Sequence, residues 1–265
     1  MTSRSVQVHE LRIPLQAIEH LSEEDRFAYY LLGHMFNELM CLQKLIAFAL
    51  PKHGDVRPAR RRPELAQALT LFRLACSKIW EAKLVLQTKE VSKTLRTVVL
   101  PELQNGMARL KALNAELNAA PWLGPLRNGL GFHFPDFKQW KADTTPQAGW
   151  VDDVVIFGES SGNTFYEAAE TIAEAWMFRE CAMFDGEMAP DPDRLIGQMI
   201  DLLAAMNSFL EDALSVFIAA VILKNQGQSK PAGKIMAPDF EKVTIPFWTS
   251  MDPRKERSTG LSTKS

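Results

Sequence analysis

Polar and apolar residues recur at helical spacing over most of this chain. From Ser22 to about Leu50 apolar residues cover nearly every face of a helix, and Ser22 precedes three acidic residues that suit the positive end of a helix dipole. Pro51 and Gly54 end the segment. We therefore expect a long, central and buried helix here.

Later segments carry the same signal. Pro63 is a favourable first residue for a second long helix, and Pro101 either starts or kinks the main part of a third. Pro125 is placed to open a short helix that Pro135 closes. The third helix, which contains Pro101, is predicted over Leu95–Asn118. Two further long helices are predicted over Glu167–Phe184 and Asp191–Gln226.

Signals for β-strands are few. The runs Asp153–Phe157 and Thr164–Tyr166 predict a small hairpin inserted near residues 151–166. Residues 1–20 are predicted to be irregular or weakly strand-like. The prediction is an all-α, multi-helix bundle over residues 1–226. We expect a flexible, mostly irregular C-terminal tail over 227–265, with one candidate edge strand at Val243–Trp248.

Composition adds a charge pattern to this picture. The chain has 265 residues, 46% hydrophobic and 23% charged, which is ordinary for a globular protein with one core. Its net charge of −2 excludes a global attraction to nucleic acid. However, residues 52–111 hold thirteen Lys or Arg against five acidic residues, and residues 151–193 hold eleven acidic residues against one Arg. One face is thus expected to tolerate an anionic ligand, unless these charges only solvate helix faces.

The cysteines and the apolar runs indicate a compartment. Cys41, Cys76 and Cys181 are odd in number, lie in apolar helical patterns and form no CxxC pair, so we expect buried free thiols. No secretory signal is visible at the N-terminus. The longest apolar run, Leu39–Leu50, is too short to cross a bilayer. A cytoplasmic protein without a membrane partner is the expectation.

The stretch Gly158-Glu159-Ser160-Ser161-Gly162 matches the GxSxG pattern of serine hydrolases. Such enzymes need a histidine after the serine in the chain. The five histidines lie at positions 9, 20, 34, 53 and 133, all before Ser160. The βαβ alternation of that fold is also missing. We therefore interpret this stretch as a hairpin loop.

Two polar clusters are weaker candidates. His34, Asn37 and Glu38 share one stripe of the first long helix, where they could line a functional cleft or simply bond to neighbouring helices. A di-metal bundle would repeat a Glu-x-x-His pair, and no second pair is found, so no metal or other cofactor is expected.

The second cluster is a basic loop. It could hold a phosphate backbone, or it could be a solvated loop, since no aromatic residues alternate with the arginines as they do in single-strand binders. Its members are Arg57, Arg60, Arg61 and Arg62.

The strongest candidate is Leu126-Arg127-Asn128-Gly129-Leu130-Gly131-Phe132-His133-Phe134. An arginine, an adjacent amide and a histidine lie within two helical turns of one another, in an all-helical setting. This motif resembles the HEPN family (higher eukaryotes and prokaryotes nucleotide-binding), whose signature is an arginine, a polar residue that is often asparagine, and a histidine a few residues later.

The resemblance implies a helical bundle and a metal-independent endoribonuclease that acts as a dimer, often as a toxin or in defence against phage. It gives His133 the role of general base or acid, Arg127 that of transition-state stabiliser and Asn128 that of orienter. The expected partners are a second copy of the chain, RNA, and a protein inhibitor or other protein partner. Gly129 and Gly131 are costly in a helix, so they either loosen the turn or allow a close approach.

A different class of function remains open. The chain could be a non-catalytic helical scaffold, or a module that binds a nucleotide or a protein, with the motif serving as a dimer interface. On this interpretation His133 lies at a helix end, where its charge suits the dipole, and Arg127 pairs with a surface carboxylate.

Overall fold

The computed structural model describes residues 3–52, 57–131, 133–141, 144, 152–158, 163–185, 192–224 and 229–249. This part of the chain is mostly α-helical, as the hydrophobic pattern predicts. The helices are α1 Leu15–Glu19, α2 Glu23–Ala49, α3 Pro58–Gln87, α4 Lys89–Thr94, α5 Gly106–Asn118, α6 Leu123–Leu126, α7 Phe137–Trp140, α8 Glu167–Asp185 and α9 Pro192–Val216. Wider π-helical turns span Leu95–Val99, Arg127–Gly131 and Phe217–Ile222. The strands are β1 Ser3–Glu10, β2 Val155–Phe157, β3 Thr164–Tyr166 and β4 Lys230–Pro238.

Helix α2 begins where the sequence predicts, but it is buried on one side only. The Ser22 hydroxyl caps it by accepting a hydrogen bond from the Asp25 backbone N–H at 3.1 Å. Its inner face packs into the core through Ala28, Leu32, Met35, Leu39 and Ile46. Its outer face is exposed and includes Phe27 and Tyr30. The predicted burial on all faces was therefore wrong, and Cys41 is exposed while Cys76 and Cys181 are buried.

Helix α3 starts at Pro58, five residues before the predicted start at Pro63. Pro63 lies inside the helix, where its lack of an N–H leaves the Ala59 carbonyl without its helical donor. The indole Nε1 of Trp248 donates to that carbonyl at 2.9 Å. A distant side chain thus supplies the missing hydrogen bond, which is why the proline does not end the helix.

The core forms where α2, α3 and α9 meet. Its most deeply buried large side chains come from these helices and from the segments around α4 and α6. In the described part of the chain, one helical stretch, Arg194–Ile222, is long and apolar enough to cross a membrane. Part of this stretch packs in the core, and 44% of its most apolar window is buried. The core residues of this stretch are Leu195, Met199, Leu202, Leu203, Met206, Phe209, Leu210, Ala213, Phe217 and Ile222.

The third predicted helix is broken. Helix α4 continues into the π-helical turn Leu95–Val99, and α5 starts only at Gly106. Pro101 lies in the turns between them, and Asn105 adopts a left-handed conformation (φ 56°) just before α5. Pro101 thus neither starts nor kinks a helix: the π-helical turn ends just before it, and the left-handed Asn105 precedes the start of α5.

Two small antiparallel sheets accompany the helices. Strands β2 and β3 form the predicted hairpin, with Val155 opposite Tyr166 and Phe157 opposite Thr164. Strands β1 and β4 pair from Ser3↔Pro238 to Glu10↔Lys230. Residues 230–238 were expected to be irregular, and the candidate strand at 243–248 is not a strand. A pairing between segments more than 200 residues apart leaves no local trace in the sequence.

Residues 243–249 form a strap across the helices. The Ile245 N–H donates to the Phe48 carbonyl of α2 at 2.9 Å, and Gln67 of α3 donates to the Ile245 carbonyl at 3.2 Å. At the far end the Thr249 N–H donates to Asn163 Oδ1 at 3.0 Å, and Asn163 Nδ2 returns a bond to the Thr249 carbonyl. The strap therefore connects α2, α3 and the β2–β3 hairpin.

Replacing Asn163 with alanine should release the end of the strap. Asn163 is buried, so its loss leaves the Thr249 backbone without partners, at a cost of about 1–3 kcal/mol. We expect a lower melting temperature and faster chymotrypsin cleavage after Phe247 or Trp248. The exposed Asn37→Ala should change neither property. Equal cleavage rates in the two variants would contradict this role of Asn163.

Candidate functional site

The predicted short helix is present, but it carries the motif only as far as Gly131 and takes the form of a wide π-helical turn from Arg127. Helix α6 starts at Leu123 and runs directly into the π-helical turn that ends at Gly131. Pro125 is thus its third residue, where a missing N–H costs nothing. His133 lies beyond the turn and is exposed, whereas Phe132 lies outside the described residues.

The two glycines of the motif bring this turn against the core. A Cβ on Gly129 would overlap the buried indole ring of Trp176 from α8, and one on Gly131 would overlap the Ser77 hydroxyl of α3. That hydroxyl donates to the Arg73 carbonyl at 2.9 Å and is fully buried. The sequence left two explanations for these glycines, a loosened turn or a close approach. The structure shows a close approach, and the approaching groups, Trp176 and Ser77, belong to the same chain.

Arg127 and Asn128 point outward and bond to each other. The Arg127 guanidinium donates from Nε and Nη2 to Glu81 Oε1 of α3, each at 2.9 Å, and from Nη1 to Asn128 Oδ1 at 2.8 Å. The Arg127 side chain remains 31% exposed. The guanidinium is therefore held in one orientation at the surface, and its carboxylate partner is one that the scaffold interpretation anticipates.

Beyond the turn, His133 is followed by exposed aromatic residues. Phe134 is 99% exposed and Phe137, in α7, is 77% exposed. The Lys141 ammonium lies 5.9 Å from the centre of the Phe137 ring. The histidine thus borders an apolar surface that this single chain leaves uncovered.

The His34, Asn37 and Glu38 stripe connects to α3. His34 Nε2 lies 3.8 Å from Glu38 Oε2, and Lys78 of α3 donates to both Glu38 oxygens at 2.9 and 3.1 Å. Asn37 is exposed. Lys78 and Glu81 are three residues apart on α3, so a row of charges runs from the stripe toward Arg127. The described residues contain no group of three or more side chains suited to a metal.

The basic loop meets aromatic residues that its local sequence lacks. Arg57 and Arg60 line a cleft of about 520 Å³ together with Phe157 at the end of β2 and Trp248 of the strap. Arg60, Arg61 and Arg62 lie in α3 and not in the predicted loop. No aromatic residue alternates with them in the sequence, but the fold brings two rings to this cleft from about 100 and 190 residues away. Arg61 is exposed outside this cleft lining.

An acidic cleft of about 600 Å³ lies beside the basic one. Glu167, Glu170 and Glu174 of α8 line it, and Arg62 pairs with Glu167 at its edge. Buried Arg73 donates to Glu170 Oε2 at 3.1 Å, while its Nη1 has no hydrogen-bond partner among the described residues. Burial, and then the nearby Glu170 carboxylate, raises the pKa of Glu174. The uneven charge along the sequence therefore corresponds to two adjacent clefts of opposite character.

Of the GxSxG stretch the described residues include only Gly158, which directly follows β2. The Gly158 N–H donates to the Asn163 carbonyl at 2.6 Å and closes the β2–β3 connection. Ser160 lies outside the described residues.

Comparisons with protein-family models, with curated proteins and with solved structures find no match for this chain.

Gly129→Ala should destabilise the protein by about 1–3 kcal/mol, because the buried Trp176 ring cannot move aside for the added methyl group. Gly33→Ala in α2 and Gly197→Ala in α9 are matched controls, since nothing lies within 4 Å of a Cβ there. They should raise stability by up to about 1 kcal/mol. Urea denaturation of the three variants gives the comparison. A neutral Gly129→Ala would mean that the turn does not press on Trp176.

Glu174→Gln should stabilise the protein at pH 7. Because the pKa of Glu174 is raised in the folded state, the native chain keeps this proton to a higher pH than the unfolded chain. The unfolding free energy therefore falls as pH rises from the ordinary value of 4.5 through the raised pKa, and glutamine removes this loss. The melting temperature of the variant should exceed that of the wild type by a few degrees at pH 7, and the difference should shrink at pH 4.

The exposed Glu116→Gln in α5 makes the same charge change away from the acidic cleft and should show no such pH dependence. Identical pH profiles for the two variants would contradict the stated origin of the shift at Glu174.

Proposed function

We propose that this chain is a cytoplasmic, HEPN-like, metal-independent endoribonuclease. His133 acts as general base or acid, and Arg127 stabilises the transition state. Asn128 orients the substrate or Arg127. The observation that supports this proposal is the turn itself: its glycine side is pressed on Trp176 and Ser77, and its Arg127–Asn128 side is held at the surface.

The chemistry requires no metal. Cleavage of RNA through its 2′-OH needs a group that removes the hydroxyl proton and a cation next to the phosphate, where negative charge develops. Imidazole is the side chain that exchanges protons near neutral pH. Guanidinium stays charged and makes forked bonds to phosphate oxygens. Glu81 and Asn128 fix the direction of the Arg127 fork before any substrate arrives, which lowers the cost of ordering it.

A homodimer would complete the site. Phe134 and Phe137 leave an apolar surface uncovered beside His133. A two-fold axis through this surface would bury both pairs of rings and bring two motifs together. Such a cleft suits an RNA strand, and the family resemblance suggests a toxin or a component of defence against phage, with a protein inhibitor as a further partner.

One observation favours the second candidate, a non-catalytic scaffold or a nucleotide- or protein-binding module. Glu81 neutralises Arg127, and a carboxylate this close competes with a phosphate for the same donors. In that case the Arg127–Glu81 pair fastens the turn to α3, and the apolar residues after His133 serve as a dimer interface or bind a protein partner.

His133→Ala should lower RNA cleavage by roughly 10²–10⁴-fold and Arg127→Ala by roughly 10²–10³-fold, because each removes a group that acts in the transition state. Cleavage of a labelled RNA in EDTA is the measurement, with His20→Ala and Arg96→Ala as matched controls far from the motif in sequence. Full activity in both motif variants would rule out this mechanism.

Size-exclusion chromatography separates the two candidate functions. An EDTA-resistant nuclease that is dimeric, and that loses both properties in Phe134→Ser, supports the enzyme. Because Phe134 is almost fully exposed in the single chain, this change should not affect folding. A stable dimer with no cleavage of any RNA tested supports the scaffold.

A further inference from the structure

We propose that the cleft at the start of α3 binds single-stranded nucleic acid, with a phosphate against Arg57 and Arg60 and a base stacked on Phe157 and Trp248. This is a second site, separate from the motif. Arg60 and Glu81 are 21 residues apart on one helix, which corresponds to about 30 Å. The inference therefore does not depend on the endoribonuclease proposal.

The positive side of the cleft comes from the first turn of α3. Arg57 caps this helix, the first turn contains no acidic residue, and Arg60 follows one turn later with its side chain 37% exposed. Glu64 is only 11% exposed and accepts a bond from Arg60 Nε at 3.2 Å. Glu64 also lines the cleft and holds the Arg60 guanidinium in one orientation, as Glu81 does for Arg127.

The aromatic side of the cleft is already ordered. Trp248 is held in place by its hydrogen bond to the Ala59 carbonyl and by an edge-on contact with Phe247, whose ring centre lies 5.1 Å away. Phe157 ends β2 and is 73% exposed, although a large apolar side chain gains free energy when it is covered. A base that stacks on these rings would cover them without having to order them first.

The combination of arginines and exposed aromatic rings favours one class of ligand. Arginines alone would suit any anion, but exposed rings beside them suit a flat base joined to a phosphate. Bases in a duplex are stacked on one another and cannot reach these rings. The volume of about 520 Å³ lies within the usual range for small-ligand sites, so the cleft accommodates a short part of a strand.

The test is fluorescence anisotropy with a labelled oligo(dT) of about twelve nucleotides, a length in the range of single-strand sites. DNA lacks the 2′-OH, so the proposed nuclease cannot consume the probe. Phe157→Ala should weaken binding roughly 5- to 150-fold, the range measured for loss of one stacked base. Arg57→Gln should weaken binding and lower the slope of log affinity against log salt by about 0.7.

Matched controls are Phe27→Ala, an equally simple loss of an exposed ring on α2, and Arg96→Gln, which removes an exposed charge from the Leu95–Val99 turn. Both should bind as the wild type does. Wild-type affinity in Phe157→Ala and Arg57→Gln would overturn the proposal. So would equal affinity for a duplex of the same length, since that indicates phosphate attraction only.

Competition with AMP identifies the form of the ligand. Displacement of the probe by millimolar AMP indicates a mononucleotide-sized site, and displacement only by unlabelled strand indicates several contacts along a strand. Because the probe lacks the 2′-OH, the binding result is separate from the nuclease assay. Complete absence of oligo(dT) binding by the wild type would overturn the proposal whatever the nuclease result.

Discussion

Burial of the inner face of α3 from Pro63 to Leu86 is the constraint on which this structure depends. The helix packs on α2, α6, α8, α9 and the Arg127–Gly131 turn, so only its margins and its first turn are left for polar chemistry. Glu81 emerges at one margin and Lys78 near it, and each makes an ion pair with a neighbouring element. Arg57 and Arg60 emerge at the first turn. Both candidate sites are therefore positioned by the rigidity of one helix.

The glycines in the motif show how packing shapes a candidate site. Without a side chain at Gly129 the turn can lie directly on the Trp176 ring, and the turn widens so that Arg127 remains outside. The conformational cost of glycine is thus offset by the close contact. The same contact fixes where Arg127 starts, and Glu81 then fixes where its guanidinium points. Arg127 is therefore positioned at both ends of its side chain.

Local patterns in the sequence predicted what depends on local physics. Helical periodicity predicted α2 and α8 nearly to their ends and the start of α9, which becomes π-helical after Val216, and the β-branched runs predicted the hairpin. Contacts between distant residues could not be predicted in this way. Trp248 donates to the Ala59 carbonyl that Pro63 leaves without a helical donor, and β4 pairs with β1. Likewise local patterns predicted the arginines at the start of α3 but not Phe157 and Trp248 beside them, because only the strap and the hairpin bring these rings there. The aromatic run at 247–248 was the available signal.

The acidic cleft limits the positions that an anionic ligand can take in the basic cleft. Glu167, Glu170 and Glu174 line the neighbouring cavity, and so does Arg62, which pairs with Glu167. A phosphate that moved from Arg57 toward α8 would meet carboxylates, and it would gain little from Arg73, which is buried beneath Glu170. Repulsion on one side and attraction on the other therefore orient an anionic strand, so that its phosphates face α3 and its bases face the hairpin and the strap. The two adjacent clefts of opposite charge together would set the orientation of the strand, which neither cleft would set alone.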